Sequence, residues 1–435
     1  MLKRLFVRRA RQLSALALMA LTSACGVSIA NPTGSTADSS TNTTTVATPT
    51  PTPTPTPSTT VTVPVISPNG LAGETAIADN FDYASAFEPT TYGANGGVGI
   101  PPITPINDLG AFRFLCHPGQ LLHDDPIVYP GQPGKSHLHM FIGNTGANAN
   151  STYQSLRTTG GSTCDNQGQS FAINRSSYWT PAMMDGAGHA VLPDYVLVYY
   201  KRFPASGPGC VGPMAVGICT DLPNGLRFIF GYNMTTMTGG PAGEGTRDYW
   251  SMDYNCWSNE ANTVPIPAAA QANFHTIADV AAAGCPAGAR LHVSIEAPTC
   301  WDGKNLDTAD HRSHIVYPPD GTDKGMGYVC PADHPYVLPL ISYQWLYTLD
   351  DNFVAGKWHL VSDEMFPGVK AGTTLHMDYF EAWSTTARTT WQRNCINGPM
   401  SCSSGDMGDG TAIKGAGVPA GGWITHQLVA ATAMP

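Results

Sequence analysis

The clearest pattern along the chain is a series of short apolar runs that are rich in β-branched and aromatic residues. Turn-forming residues flank the runs, and this combination predicts β-strands. The runs are DYVLVYYKRF from Asp194, LRFIFGYNM from Leu226, RLHVSIEA from Arg290, SHIVYP from Ser313 and TLHMDYFEAW from Thr374. The body of the protein is therefore predicted to be mainly β, an antiparallel β-sandwich or distorted barrel with long loops.

Helical patterns are scarce. The 46 glycines and 36 prolines interrupt most segments that could otherwise form a helix. The stretch from Pro267 to Gly284 is the exception, because it is rich in alanine and ends on a glycine suited to a helix C-terminus. We expect this helix and few others.

The N-terminal residues read as an export signal. Basic residues between Lys3 and Arg11 precede an apolar stretch from Leu13 to Ala24, which is too short to span a bilayer comfortably. The stretch ends in LTSAC, which resembles a bacterial lipobox in which Cys25 would be acylated. Ordinary signal cleavage after SIA is the alternative.

A segment without apolar patterning follows. It contains TPTPTPTPTP, and its threonine, serine and proline content is too polar to form a core and favours extended backbone. We therefore predict an export signal with a lipobox at 1–25, a Thr/Pro-rich disordered stalk at 26–70 and a single β-rich domain at 71–435. The expected location is the cell surface or the periplasmic side, as a membrane-anchored lipoprotein, with secretion as the alternative.

The negative net charge of the chain disfavours some classes of binding partner. The formal net charge is −10, and the body has no basic cluster, which argues against nucleic acid and anionic lipid as partners. Contact with a membrane is expected only through the lipid anchor. We expect the protein to be a monomer.

The cysteines also favour an exported protein. The chain has 11 of them, so lipidation of Cys25 would leave ten, enough for five disulfides in an oxidising compartment. Cys210 with Cys219 and Cys395 with Cys402 are predicted as local pairs. No CxxC motif occurs, which argues against thiolate zinc sites and thioredoxin chemistry.

Two predicted strands carry histidines opposite an apolar face. In SHLHMFIGN, alternation puts His137 and His139 on the face opposite Met140. In LHMDYFEAW, His376 and Asp378 share one face while the apolar residues take the other. Polar side chains arranged in this way are typical of a sheet face that lines a pocket.

A third motif is the segment CWDGKNLDTADHRSHI, from Cys300 to Ile315. It concentrates charge and histidine in a chain that is only 12% charged. Asp307, His311 and His314 stand at i, i+4 and i+7, which is one face of a helical turn if the segment is helical and otherwise part of an irregular loop. We predict that this segment forms one wall of a polar site, tethered by a disulfide at Cys300.

Several of these blocks resemble the signature of a secreted domain-of-unknown-function family of fungi and bacteria. The blocks are DDPIVYPGQPGKSHLHMFIGN, SSYWTPAM, CWDGKNLDTADHRSHIVYP, CPADHP and HMDYFEAW, and they extend roughly from Phe112 to Trp383. The resemblance implies no established chemistry. Fungal members are often joined to a wall-associated module thought to bind carbohydrate, which implies work near cell walls.

The first functional hypothesis is a hydrolase that acts on a glycan or cell-wall polymer without a cofactor. Glycoside cleavage needs two carboxylates, and histidine can share or tune the proton. The predicted catalytic residues are His137, His139, Asp302, Asp310, His311, His314, His376 and Asp378. The predicted substrate-binding residues are Ser136, Tyr178, Trp179, Lys304, Asn305, Glu381 and Trp383.

Two alternatives remain open. The second hypothesis is a zinc, copper or iron site, or a metal-dependent hydrolase, although the chain has no HExxH motif. Its candidate ligands are His137, His139, His311, His314 and His376. The third hypothesis is a non-catalytic wall-binding module, which predicts an exposed row of aromatic residues.

Overall fold

A computed structural model of the chain describes residues 65–66, 70–90, 109–164, 172–239, 252–319, 321–322, 325–414 and 426–431. All of these belong to one compact unit, Val61–Pro435. The predicted export signal, Cys25 and nearly all of the predicted stalk lie outside the described residues. Among the helices that are described, none is long and apolar enough to cross a membrane.

Short strands account for most of the regular structure. In chain order, strands β1 to β23 are Val65–Ile66, Ala72–Gly73, Phe87–Pro89, Gly110–Cys116, Leu121–Leu122, His139–Gly143, Ser177–Pro181, Met183–Met184, His189–Leu192, Tyr195–Arg202, Ile218–Cys219, Arg227–Gly231, Met252–Trp257, Arg290–Glu296, Cys300–Trp301, Ile315–Val316, Tyr336–Val337, Leu340–Thr348, His359–Leu360, His376–Phe380, Ser401–Cys402, Thr411–Ile413 and Gln427–Ala430. All five predicted strand segments contain one of these strands.

Helices are few and short in the described part of the chain. The α-helices α1 to α4 are Tyr153–Thr158, Ile277–Ala282, Asp351–Val354 and Thr385–Trp391. Short 3-10 helices cover Ala84–Ala86, Ala268–Gln271 and Val361–Met365, and a π-helix covers Gln392–Asn397.

Two sheets face each other across the main core. One has six strands in the order β13-β14-β18-β10-β4-β21, and the other has five in the order β12-β20-β7-β6-β5. Aromatic side chains join them: the rings of Tyr178 and Tyr343 lie 5.4 Å apart, and the hydroxyls of Tyr178 and Tyr200 are 2.9 Å apart. This arrangement confirms the predicted mainly β, sandwich-like fold.

The predicted helix from Pro267 to Gly284 is wrong in length. A 3-10 turn opens the segment, and α2 covers only Ile277–Ala282. Between them, Phe274 exchanges two backbone hydrogen bonds with Tyr254 of β13, which makes this part extended. Thr276 then starts the helix, because its side chain accepts a hydrogen bond from the backbone N–H of Asp279.

Five disulfides link the described residues. The pairs are Cys116–Cys164, Cys210–Cys219, Cys256–Cys285, Cys300–Cys330 and Cys395–Cys402. Both predicted local pairs and the predicted number of five are confirmed. This density of disulfides indicates an extracellular or otherwise oxidising compartment.

Candidate functional site

The outer face of the five-stranded sheet carries a group of histidines and carboxylates. His139 begins β6 and His376 begins β20, and both strands pair with β7 between them. Their neighbours Met140 and Met377 point the other way, into the main core. The predicted alternation along both strands is therefore confirmed.

Five side chains converge on this face. One ligand atom from each of His137, His139 and His376 lies within 4.8 Å of the other two, and the same holds for Asp125, His139 and Asp378. The two sets share His139. We call these five residues the His/Asp centre.

Backbone carbonyls fix the orientation of two histidine rings. Nδ1 of His139 lies 3.0 Å from the carbonyl oxygen of Asp124, and Nδ1 of His376 lies 2.8 Å from that of Thr374. A carbonyl can only accept a hydrogen bond, so each Nδ1 carries the proton and each Nε2 keeps its lone pair. Histidines that bind metals are usually oriented in this way.

The centre leaves several buried polar atoms unsatisfied. Nε2 of His137, Nε2 of His139 and both carboxylate oxygens of Asp378 have no hydrogen-bond partner among the described residues. Buried polar atoms are normally paired, because each unpaired one costs free energy on leaving water. Four such atoms in one cluster are available to bind water, a metal ion or another ligand.

The electrostatics favour neutral histidines. Burial, reinforced by neighbouring histidines, lowers the pKa of His137 to about 2 and that of His139 to about 3. Burial and the nearby His137 hold the pKa of His376 well below its ordinary value. All three rings are therefore neutral near pH 7, which is the form that binds a metal ion.

The two carboxylates of the centre disfavour each other's charge. Burial raises the pKa of Asp378 well above its ordinary value, the Asp125 carboxylate raises it further, and Arg312 opposes the shift. Burial also raises the pKa of Asp125, although the N–H groups of Ile127 and Val128, each 2.8 Å from Oδ1, act in the opposite direction. A divalent cation would balance both negative charges.

The segment from Cys300 to Ile315 begins in strand β15 and ends in strand β16, which pair with each other, and the part between them is an irregular loop rather than a helical turn. The loop covers the edge of β12 that is not paired with β20. There the backbone N–H of Arg227 donates to the carbonyl of Leu306, and the backbone N–H of Ile229 donates to the carbonyl of His311. Arg312 of the loop donates to the carbonyl of Gly231 and acts electrostatically on Asp378. The loop therefore borders the His/Asp centre, mainly through Arg312.

The predicted carboxylates of this loop hold its backbone. Oδ1 of Asp302 accepts the N–H groups of Lys304 and Asn305, and Oδ2 accepts the Asn305 side-chain amide. Oδ1 of Asp310 accepts the backbone N–H groups of the two residues before His314, among other bonds. Neither carboxylate belongs to the His/Asp centre. Lys304 and Asn305 are exposed at the same turn.

The two histidines of the loop also lie outside the centre. Nδ1 of His311 is 2.8 Å from Oδ1 of Asp307. His314 is fully buried, with Thr308 at 3.0 Å from one ring nitrogen and the Arg227 carbonyl at 3.0 Å from the other. Both nitrogens of His314 are thus occupied, which leaves it without a lone pair to offer a metal ion in this arrangement.

The predicted substrate-binding residues outside the loop are mostly interior. Tyr178, Trp179, Glu381 and Trp383 have no exposed surface. Glu381 forms a buried ion pair of 2.8 Å with Arg388. The fifth such residue, Ser136, does adjoin the centre, because its hydroxyl donates to the carbonyl of His137 and lies 3.4 Å from Nδ1 of His139. Rings without exposed faces cannot stack on a sugar in this structure.

Sequence reasoning missed Asp125 and His123. Both come from an irregular segment, where no alternation marks a shared face. His123 is exposed, and its Nδ1 lies 3.1 Å from the carbonyl of Ser136, next to the centre. The available signal was the pair of aspartates in DDPIVYP, shortly before the SHLH motif.

Comparison with protein-family models gives one finding. Residues 125–383, more than half of the chain, match the model of a domain of unknown function, DUF1996. The matched region begins at one residue of the His/Asp centre, Asp125, and contains the other four. No curated protein and no solved structure matches the chain.

Proposed function

Since the chain belongs to the DUF1996 family, whose function is unknown, we propose a function from the site itself. The protein is a metal-dependent hydrolase that binds one divalent ion in the His/Asp centre, and zinc is the ion we expect first. The observation that carries this proposal is the set of unpartnered buried atoms on His137, His139 and Asp378. They belong to two sets of side chains that share His139, and within each set the ligand atoms lie within 4.8 Å of one another.

The donor set suits a transition metal. Imidazole nitrogens favour zinc, copper, iron and nickel, and a ligand set made only of oxygen would favour magnesium or calcium instead. Three neutral histidines and two carboxylates carry two negative charges when both acids are ionised. A divalent ion neutralises them, which removes the cost of burying like charges together.

The surroundings favour catalysis over a purely structural role. Structural zinc sites usually stabilise small folds, whereas five disulfides already stabilise this one. His137 is also only partly buried, so the centre approaches solvent on one side. A bound zinc ion would lower the pKa of a water ligand to about 7 and supply hydroxide for hydrolysis.

Elemental analysis of the untagged, disulfide-bonded chain tests this proposal. We expect about one zinc per chain in the wild type and almost none in the His137→Ala/His139→Ala variant, because two ligands are lost. His292→Asn is the matched control, since His292 is also buried, with a pKa lowered to about 4, but stacks on Trp257 in the six-stranded sheet. It should keep the metal.

Hydrolysis of p-nitrophenyl acetate should follow the zinc content across the three proteins. A folded wild type that binds no metal, or a double variant that keeps it, contradicts the proposal. Copper or iron as the resident ion would contradict the hydrolytic part alone, since it would point to redox chemistry instead.

A second candidate is glycan hydrolysis without a metal. It is favoured by the proximity of the Asp125 and Asp378 carboxylates, one of which has a strongly raised pKa, as a general acid requires. These two would replace Asp302 and Asp310 as the acid pair. It gives no account of the unpartnered nitrogens of His137 and His139, so we place it second.

We also propose that the mature chain is lipidated at Cys25. The five disulfides use the ten other cysteines, and lipidation of Cys25 would account for the eleventh. An anchor followed by the Thr/Pro-rich segment would hold the body away from a cell membrane, near a wall polymer.

A further inference from the structure

An open cleft of about 270 Å³ lies beside the His/Asp centre. Its polar lining combines both signs of charge with hydroxyl and amide groups. The polar residues that line it are Asn233, Thr238, Asp310, Arg312, Ser313 and Tyr317. Ile229 and Gly231 of the edge strand β12 form part of its wall.

The sheet register connects the cleft to the centre. Ile229 pairs with Asp378 and Gly231 pairs with His376 across β12 and β20. Paired residues on neighbouring strands project on the same face of a sheet, so Ile229 stands on the face that carries the centre. Arg312 lines the cleft and also acts electrostatically on both His376 and Asp378.

The chemistry of the lining suits a ligand with many hydroxyls. Each hydrogen bond that Asp310 accepts from the loop ends on Oδ1, and the side chain is exposed, so Oδ2 can accept bonds from a ligand. The hydroxyl and amide groups around it can both donate and accept. Pro298 and Val316 add a small apolar surface against which the C–H face of a sugar can pack.

A peptide added to the sheet edge fits less well. A bound peptide would use the free N–H and C=O groups of an edge strand. On β12, the N–H groups of Arg227 and Ile229 already donate to the loop, and Arg312 already donates to the carbonyl of Gly231. The edge of β12 therefore has little left to offer a peptide backbone.

We propose that this cleft is the substrate subsite of the His/Asp centre and that it takes one or two sugar units of a neutral polysaccharide. The inference rests on the proposed function. The cleft, at about 270 Å³, lies just below the range of about 300 to 1,000 Å³ typical of pockets for drug-sized ligands, which limits it to a short stretch of a polysaccharide chain.

A substitution that fills the cleft tests the inference. Thr238→Trp places a large ring at an exposed lining position without touching the centre. Thr235→Trp is the matched control, because Thr235 is exposed on the same turn but does not line the cleft. Binding of cellohexaose and chitohexaose to the full zinc-loaded chain would be followed by saturation-transfer NMR, with a serine-alanine hexapeptide as the competing class.

We expect millimolar binding of at least one hexasaccharide, weakened at least about tenfold in Thr238→Trp and unchanged in Thr235→Trp. Equal binding by both variants, no hexasaccharide binding, or binding of the hexapeptide alone overturns the inference. Zinc content is measured on the same samples. A zinc-loaded wild type that binds no sugar overturns this inference alone, whereas a metal-free wild type that binds sugar in the cleft overturns the proposed function and leaves the glycan assignment standing.

Discussion

Asp406 is a buried acid whose protonation should control stability. It is 1% exposed, its Oδ2 has no partner among the described residues, and Oδ1 accepts the N–H of Gly408 at 2.8 Å. Burial raises the pKa of Asp406 from 3.8 to about 6, and the neighbouring Asp409 adds to the shift. The folded chain therefore holds a proton here that the unfolded chain has already released.

This difference sets the sign of a pH dependence. Between about pH 4 and pH 6 the folded state binds more protons at Asp406 than the unfolded state, so the free energy of unfolding falls as the pH rises. Asp406→Asn, which mimics the neutral acid, should remove that part of the fall. Urea unfolding of both proteins at pH 4, 5 and 6 measures it. Identical pH slopes would show that Asp406 titrates normally in the fold.

The alternation of polar and apolar residues predicted those members of the His/Asp centre that lie on strands. His139, His376 and Asp378 were found because each sits on a regular strand with its apolar neighbours pointing to the core. Asp125 lies in an irregular segment just before a turn and was missed, because its position depends on contacts that no local period encodes. Asp302 is a different case: its hydrogen bonds to Lys304 and Asn305 stabilise a local turn, which is a common role of aspartate.

At the scale of elements, the disulfides should differ in what they contribute. Cys116–Cys164 closes 48 residues and Cys395–Cys402 closes 7. Because a longer closed loop restricts the unfolded chain more, replacing both cysteines with alanine should cost about 4 kcal/mol for the long pair and about 2 kcal/mol for the short one. Denaturant unfolding of the two double variants gives both values. A larger loss for the short pair would mean that folded-state contacts, not loop closure, dominate.

The sequence predicts the strands of this protein better than its helices. Strands such as Tyr195–Arg202 could be predicted, because a strand that is buried on both faces is a continuous run of β-branched and aromatic residues. The helix after Pro267 was overestimated, since alanine content indicates helix while pairing of Phe274 with Tyr254 makes part of the segment extended. Tertiary pairing of this kind overrides local propensity and is invisible in the local sequence.

At the scale of the whole molecule, lipidation of Cys25 is open to a direct test. With the full chain made in a bacterial host fed labelled palmitate, we expect label in the membrane fraction and none in Cys25→Ser, because the thiol of the cysteine is the group that receives the diacylglyceryl lipid. N-terminal sequencing gives the control for processing. A mature chain that begins after Ala30 would contradict the lipid anchor and support secretion.

The fold class could be predicted from the pattern of apolar runs and the number of disulfides from the cysteine count, but the arrangement of the sheets could not. Which strand lies next to which depends on pairings between distant segments, such as β12 with β20 and β4 with β10. The same limit applies to the His/Asp centre. The shared histidine pattern indicates that the two strands belong together, but only the sheet order puts them on either side of β7.

The covalent cross-links also bear on the order of events during biogenesis. Because five disulfides hold the scaffold together without an ion, the His/Asp centre could form before any metal binds. Maturation would then divide into two stages: oxidative folding after export, followed by capture of a metal outside the cytoplasm. The choice of metal would reflect what the environment of the cell offers, rather than what the cytoplasm contains.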